Sequence, residues 1–141
     1  MTFELHPRLV ADSLPLGDFP LCRLLLMNDA QYPWFVLVPR REAVREIHQL
    51  EEHDQQQLLR ESSGLSRALM EAFKGEKLNI AALGNIVPQL HLHHVVRYST
   101  DPAWPAPVWG RLPARAYSEP ERAARLNLLR PCLPSDFVWA D

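Results

Sequence analysis

Apolar positions along the chain change their spacing several times, and each change predicts a different element. Two near-continuous apolar runs, over residues 21–27 and 34–39, indicate buried strands. The polar turn between them predicts an antiparallel hairpin. Upstream, a looser alternation over residues 13–19 contains Pro15 and Gly17, which predicts an edge strand or a hairpin arm.

After the hairpin the spacing becomes helical. Apolar residues three positions apart predict a short helix over residues 44–50, and a longer stripe predicts a second helix that Asp54 caps and that runs to about Lys74. Gly64 in its middle weakens this helix by about 1 kcal/mol relative to alanine. Gly75 is expected to provide its C-terminal stop.

The second half of the chain returns to strands before it ends in a helix. Residues 77–83 predict a third core strand, Gly84-Asn85 a tight turn, and residues 89–97 a further strand. Ser118 has the properties of a helix cap, and that helix is expected to continue to about Leu129. Strands, helices, strands and one helix in this order predict the α+β class, with an antiparallel sheet and helices packed on one side.

Composition and charge limit the classes of function. The chain has 141 residues, 47% of them hydrophobic and 23% charged, which suits one domain over residues 1–141. Its net charge of −2 makes a nucleic-acid footprint unexpected. No apolar run approaches the length of a membrane helix and no signal pattern is present, so we expect no membrane association and a cytoplasmic location. Arg40, Arg41 and Arg97 are expected to form a solvated basic rim.

Three of the six histidines fall within four positions, at His91, His93 and His94. Strand alternation would place Gln89, His91 and His93 in a row on one face, about 7 Å apart, and His94 on the other face. A row of imidazoles on a rigid strand can supply a nucleophile, a proton donor or a metal ligand.

The sequence around these histidines resembles the histidine triad (HIT) motif, in which histidines alternate with apolar residues. Residues 87–97 read VPQLHLHHVVR, and residues 84–87 stand where the family often has a Gly-Gln-x-Val stretch. The hairpin residues 33–41, PWFVLVPRR, resemble the strand that ends in a Pro-basic-basic sequence in the family. The loop at residues 104–110, WPAPVWG, is similar to a tryptophan-bearing loop of some members. The resemblance covers a core of about residues 20–110.

This resemblance implies a HIT-like fold, usually homodimeric, that acts on a nucleotide. Family members hydrolyse or transfer nucleoside monophosphates from dinucleoside polyphosphates, phosphoramidates or nucleotide sugars. The middle histidine of the motif attacks the α-phosphorus, and that position is His91. The third histidine, here His93, assists at the phosphate and the leaving group. Gln89 occupies the first position, where a histidine usually orients its neighbours, and its amide can substitute because it both donates and accepts.

The resemblance also implies roles for residues outside the motif. The turn after the first core strand usually offers a group to the ribose hydroxyls, which fits Asn28 or Asp29. The strand before the motif usually supplies an amide near the phosphate, which fits Asn79. Main-chain N–H groups at Gly84 and Asn85 could stabilise negative charge on the phosphate oxygens. The helix and tail at 118–141 lie outside the core.

Three departures from the family pattern keep other readings open. The first is Gln89. The other two are Ile86, where the family often has a phosphate-binding hydroxyl, and Trp34, where a histidine is common. All three favour a non-catalytic nucleotide-binding or interaction module. A third reading is a metal protein that uses His91 and His93, although a protein metal site usually needs at least three ligands. The enzyme reading ranks first, and it calls for no metal and no cofactor.

Overall fold

The structure, a computed structural model, describes residues 2–140 and contains a six-stranded antiparallel sheet. The strands are β1 (Ser13–Asp18), β2 (Cys22–Met27), β3 (Trp34–Pro39), β4 (Lys77–Ala81), β5 (Leu92–Arg97) and β6 (Val138–Trp139). They lie in the order β4-β5-β3-β2-β1-β6, so the strand with the clustered histidines pairs with the second strand of the predicted hairpin.

Three helices accompany the sheet: α1 (Pro7–Asp12), α2 (Glu52–Phe73) and α3 (Glu119–Leu129). Short 3₁₀ turns occupy Ile47–Gln49 and Arg130–Cys132. The prediction of an antiparallel sheet with α+β organisation is therefore confirmed, and α2 is continuous through the predicted weak point at Gly64. No helix within residues 2–140 is long and apolar enough to span a membrane.

The two faces of the sheet are covered differently. On one face, α2 contributes Leu65 and Leu69 to the main core with Phe35 and Leu37 of β3. The opposite face carries a second apolar cluster, which includes side chains from α1, β3, β5 and the loop after β5: Leu9, Trp34, Val36, Val95, Ala103 and Val108. The main core holds the scaffold together, whereas the second cluster surrounds the side of β5 that carries His93.

The ends of α2 differ from those predicted. Its N-cap is Glu51 rather than Asp54, which lies in the first turn and accepts a 2.6 Å hydrogen bond from Arg41 Nε. At the C-terminal end Lys74 takes the left-handed conformation, with φ of 52°. Gly75 serves packing instead, since a Cβ at this position would lie 2.2 Å from Val96 Cγ1.

The strands that flank the histidines are also shorter than predicted. β4 ends at Ala81 and is an edge strand rather than a core strand, with 49% of Ile80 exposed. β5 begins at Leu92 rather than at residue 89. Pro88 has no N–H to donate to a strand ladder, and the intervening residues 82–91 form an irregular connection. His91 therefore lies just before the strand.

Arg97 is not part of a solvated rim, because only 1% of it is exposed. Its guanidinium forms a bidentate pair with Asp101, with a Nε–Oδ2 distance of 2.8 Å, and also donates to Asn79 Oδ1 and the Ala106 carbonyl, at 2.8 Å each. Burial alone would raise the pKa of Asp101, but hydrogen bonds from Arg97 and from main-chain N–H groups lower it. This network holds the loop over residues 99–110 against the end of β5.

Glu61 is a buried carboxylate on α2 that anchors the helix to the sheet. Its two oxygens accept the main-chain N–H groups of Leu21 and Cys22, each at 2.8 Å. Gln57 donates a third hydrogen bond at 2.7 Å. The carboxylate thus satisfies two donors at the start of β2 that the strand ladder leaves unpaired.

We expect Glu61→Ala to lower the free energy of unfolding by about 2–3 kcal/mol, because two buried N–H groups lose their acceptors. Urea unfolding monitored by circular dichroism measures the change. Glu71→Ala, at an exposed position of the same helix, is the control and should shift stability by less than about 0.5 kcal/mol. Equal effects of the two substitutions would contradict an anchoring role for Glu61.

Candidate active site

His91 and His93 lie side by side, as strand alternation predicted. Their ring centroids are 4.8 Å apart with an interplanar angle of 68°, and both residues are buried. His93 is fixed within β5, where it pairs with Val36 of β3, whereas His91 is in the connection that leads into the strand. The two imidazoles therefore form a compact pair at the start of β5.

A main-chain carbonyl determines where His91 carries its proton. Nδ1 of His91 lies 2.7 Å from the carbonyl oxygen of Gln89. A carbonyl only accepts hydrogen bonds, so Nδ1 must donate and Nε2 keeps its lone pair. A neutral imidazole with a free Nε2 is the form that can act as a nucleophile.

An indole determines the opposite arrangement at His93. Nε1 of Trp34 donates to Nδ1 of His93 at 3.0 Å, which leaves the His93 proton on Nε2. The rings of Trp34 and Trp109 flank this imidazole, with centroid distances of 5.7 and 5.2 Å. Burial, and then the neighbouring imidazoles of His91 and His94, lower the pKa of His93 from 6.5 to about 3. His93 is therefore a neutral ring with a donor at Nε2.

His94 faces the main core, on the other side of the sheet. Its Nε2 lies 2.7 Å from Oγ of Ser62 on α2, and its Nδ1 lies 3.0 Å from the Leu92 carbonyl. Burial lowers the pKa of His94 to about 4, although the hydrogen bond to Leu92 opposes the shift. This histidine joins α2 to β5, and its ring lies outside the pair on the other face.

The side chain of Gln89 binds the N-terminal segment rather than a neighbouring imidazole. Its side-chain Oε1 accepts the main-chain N–H of His6 at 2.8 Å, and its Nε2 donates to the Glu4 carbonyl at 2.9 Å. Its contact with His91 is through the main-chain carbonyl. Leu90 lies in the main core and Val87 in the second apolar cluster, so side chains alternate between the two faces ahead of β5 as well.

Asn28 and Asp29, the expected ribose ligands, lie in the turn after β2 and contact the C-terminal part of the chain. Asn28 Oδ1 accepts the N–H of Tyr117 at 2.9 Å, and Asp29 Oδ1 accepts the N–H of Arg115 at 3.3 Å. Both residues also line a cavity of about 270 Å³ together with Trp34. The structure thus brings them near the indole that contacts His93.

The remaining predicted residues are dispersed around β4 and the connection after it. Asn79 lies opposite Val95, on the face of the sheet that carries His93, but its amide oxygen is taken by Arg97. Gly84 and Gln89 line a small pocket with His91, whereas Asn85 is an exposed neighbour.

The roles of Trp34 and Trp109 beside His93 could not be predicted from the sequence. Trp34 stood out only as a departure from the family pattern, yet it supplies the hydrogen bond that orients His93. Trp109 packs against the same ring, and within residues 2–140 its buried Nε1 has no hydrogen-bond partner. Knowledge of the β3–β5 pairing would have indicated this contact, because Trp34 pairs with Val95 and is therefore the diagonal neighbour of His93.

Comparison with protein families places residues 8–100 in the HIT domain. The chain belongs to the histidine triad family. A histidine triad protein from Marinobacter aquaeolei VT8 is 54% identical, covers 94% of this chain and 99% of its own, and has a TM-score of 0.88. A histidine triad protein from Bradyrhizobium japonicum is 47% identical, covers 95% of this chain and 100% of its own, and has a TM-score of 0.93.

A histidine triad protein from Sinorhizobium meliloti 1021 is 42% identical, with coverage of 94% and 98% and a TM-score of 0.91. A comparison with curated proteins gives no significant match. The membership and the fold of this HIT protein therefore rest on relatives that span nearly its whole length.

Metal binding was the third reading of the histidines. Across the described residues, no group of three or more histidine, cysteine, aspartate or glutamate side chains is arranged to hold a metal ion. The neighbours of the His91–His93 pair are instead indole rings and main-chain groups.

We expect the stability of this HIT protein to fall as the pH is lowered from 7 to 5. Unfolded His93 and His94 take up protons near pH 6.5, whereas in the folded protein they stay neutral down to about pH 3 and 4. Each contributes a slope of at most about 1.4 kcal/mol per pH unit, and carboxylates titrate below this window. Urea unfolding at several pH values measures the slope.

His94→Gln should reduce this slope, whereas His48→Gln, at an exposed position, should not. An identical pH dependence for the wild type and His94→Gln would show that burial of the neutral His94 ring does not contribute.

Proposed function

We propose that this HIT protein is a nucleotide hydrolase or nucleotidyl transferase that cleaves at an α-phosphate through a covalent nucleotidyl-His91. The observation that supports this most directly is the hydrogen bond from His91 Nδ1 to the Gln89 carbonyl, which leaves Nε2 free to attack. The substrates that suit this chemistry are nucleoside phosphoramidates, dinucleoside polyphosphates and related nucleotides.

In the first step the His91 Nε2 lone pair forms a bond to the α-phosphorus, and the bond from phosphorus to the leaving group breaks. The leaving group departs with that electron pair and takes a proton from solvent. In the second step water, or another acceptor in a transferase, attacks the phosphorus. The N–P bond then breaks, its electrons return to Nε2, and the nucleophile loses its proton to solvent.

We assign His93 to hydrogen bonding at the phosphate rather than to proton transfer. Its low pKa, caused mainly by burial, means that it carries one proton at neutral pH, on Nε2. Loss of that proton would leave an imidazolate, which is unfavourable in a buried site. A hydrogen bond from Nε2 to a phosphate oxygen stabilises the charge that develops there without moving the proton.

The other site assignments belong to the same proposal. Asp29 binds its main-chain partners through Oδ1, which leaves Oδ2 for a ribose hydroxyl, and Asn28 lies beside it in the same cavity. Main-chain N–H groups at Gly84 and Asn85 are proposed to face the phosphate, with Asn79 at the rim. No metal or cofactor takes part in this scheme.

Gln89 makes this chain a proposed variant of the triad, with glutamine at the first motif position. The variant supports an alternative in which the protein is a non-catalytic nucleotide-binding or interaction module. Ile86 favours that alternative, because 73% of it is exposed where the family often has a phosphate-binding hydroxyl.

We further propose that the protein acts as a homodimer of a single 1–141 domain in the cytoplasm. The edge strand β4 and helix α2 border a largely apolar groove that includes Leu58, Leu59, Ile80 and Leu92. Ile80 and Leu59 are 49% and 68% exposed, and an uncovered edge strand readily pairs with another strand. A second copy would cover this edge.

We expect His91→Asn to lower turnover of an adenosine phosphoramidate and a dinucleoside polyphosphate by about 10³-fold or more, because the nucleophile is lost. Mass spectrometry should detect a nucleotidyl adduct on His91 in the wild type. His53→Asn, at an exposed position, is the control that keeps full activity. Full activity of His91→Asn would exclude this mechanism, and binding of AMP without cleavage of either substrate would favour the alternative.

We expect Ile80→Lys to convert the dimer to a monomer, because a charged side chain on β4 opposes strand pairing and burial. Light scattering coupled to size-exclusion chromatography measures the mass. Leu128→Lys, which replaces a 54% exposed apolar residue on α3, is the control and should leave the mass unchanged. A dimer that survives Ile80→Lys would place the contact elsewhere.

A further inference from the structure

The segment that carries His91 is not held by the strand ladder. His91 is the last residue before β5, at the end of the irregular connection over residues 82–91. Leu90 provides one anchor, since its N–H donates to the Val44 carbonyl at 2.9 Å and its side chain is buried in the main core. Val87 is a second anchor, since it is buried in the second apolar cluster. Between them lies Gln89, the residue whose carbonyl holds the His91 ring.

Gln89 supplies a further anchor through both halves of its amide. Nε2 donates to the carbonyl of Glu4, and Oε1 accepts the N–H of His6, two residues further along. A strand residue pairs with a parallel neighbour in the same manner. The side chain thus forms the two hydrogen bonds of one parallel strand pairing, and these bonds join the N-terminal segment to the connection before β5.

The N-terminal segment bound in this way forms one wall of the candidate site. Phe3 and Leu5 pack against the apolar cluster around Trp34, and Leu9 of α1 is buried in it. The same helix ends at Asp12, which lines the cavity that contains Asn28 and Asp29. The Asp12 carbonyl also accepts the N–H of Asn28 at 3.0 Å. The segment therefore extends from the Gln89 amide to the proposed ribose pocket.

We propose that Gln89 is a positioning residue that clamps the N-terminal segment across the site and, through its carbonyl, fixes the placement of His91. The effect on turnover rests on the proposed function, whereas the clamp itself does not. The side chain of Gln89 thus binds the N-terminal segment, while its main-chain carbonyl orients His91. Gln89 couples the position of the nucleophile to the position of the wall.

The chemistry of the side chain explains why a histidine would not replace it. In a carboxamide the donor and the acceptor lie side by side, so both can reach one extended segment. In a neutral imidazole the donor and the acceptor lie on different edges of the ring and diverge. Gln89→His would restore the common triad sequence but would lose at least one bond of the clamp.

The test compares Gln89→His and Gln89→Ala with the wild type by hydrogen exchange and by steady-state kinetics. Gln57→Ala, which removes one glutamine hydrogen bond on α2, is the matched control. We expect faster exchange of the amides of residues 3–8 in both Gln89 variants. We also expect kcat to fall by about tenfold or more, because a displaced nucleophile is costly, and KM to rise as the wall loosens.

His6→Pro tests the clamp from the other side. The φ of −55° at His6 suits proline, which removes the N–H that Gln89 accepts but leaves residue 89 unchanged. His6→Ala keeps this N–H and should retain slow exchange in the segment. If the Gln89 variants fold poorly, His6→Pro decides the question.

Normal exchange protection of residues 3–8 in Gln89→His, or in His6→Pro, would overturn the clamp. Lost protection with unchanged kcat and KM would overturn the positioning role, because a purely structural contact changes stability alone. If the wild type has no turnover, the proposed function fails and the exchange measurements decide the clamp independently.

Discussion

Two hydrogen bonds with opposite polarity are the constraint on which the site depends. The Gln89 carbonyl requires a proton on Nδ1 of His91, and the Trp34 indole requires its absence from Nδ1 of His93. Adjacent buried imidazoles would otherwise be free to exchange tautomers. Because the two partners differ in kind, one ring presents a lone pair at Nε2 and the other presents a donor.

The rest of the fold maintains these two contacts. Pairing of β3 with β5 brings Trp34 beside His93, while His94 and Ser62 fasten the same strand to α2 on the opposite face. At the far end of β5, the buried Arg97–Asp101 pair holds the loop that carries Trp109. The histidine strand is thus fixed on both faces and at its end.

Much of the scaffold could be predicted because strong periodicity leaves few alternatives. The hairpin, the long helix and the split of His91 and His93 from His94 all follow from local spacing. The errors arose where distant residues decide the outcome. Alternation of side chains could not show that the strand starts at Leu92, and composition could not show that Arg97 is buried against Asp101. The contacts of Gln89 join residues more than eighty positions apart, so no local pattern contains them.

The indole of Trp34 has a consequence for proton traffic. A relay passes protons only through groups that accept on one side and donate on the other, and an indole nitrogen has no lone pair to accept with. Behind His93, therefore, the chain of exchangeable protons stops at Trp34. On its interior side the histidine pair therefore has no group with which to exchange protons. Proton exchange takes place only on the side that meets substrate and water.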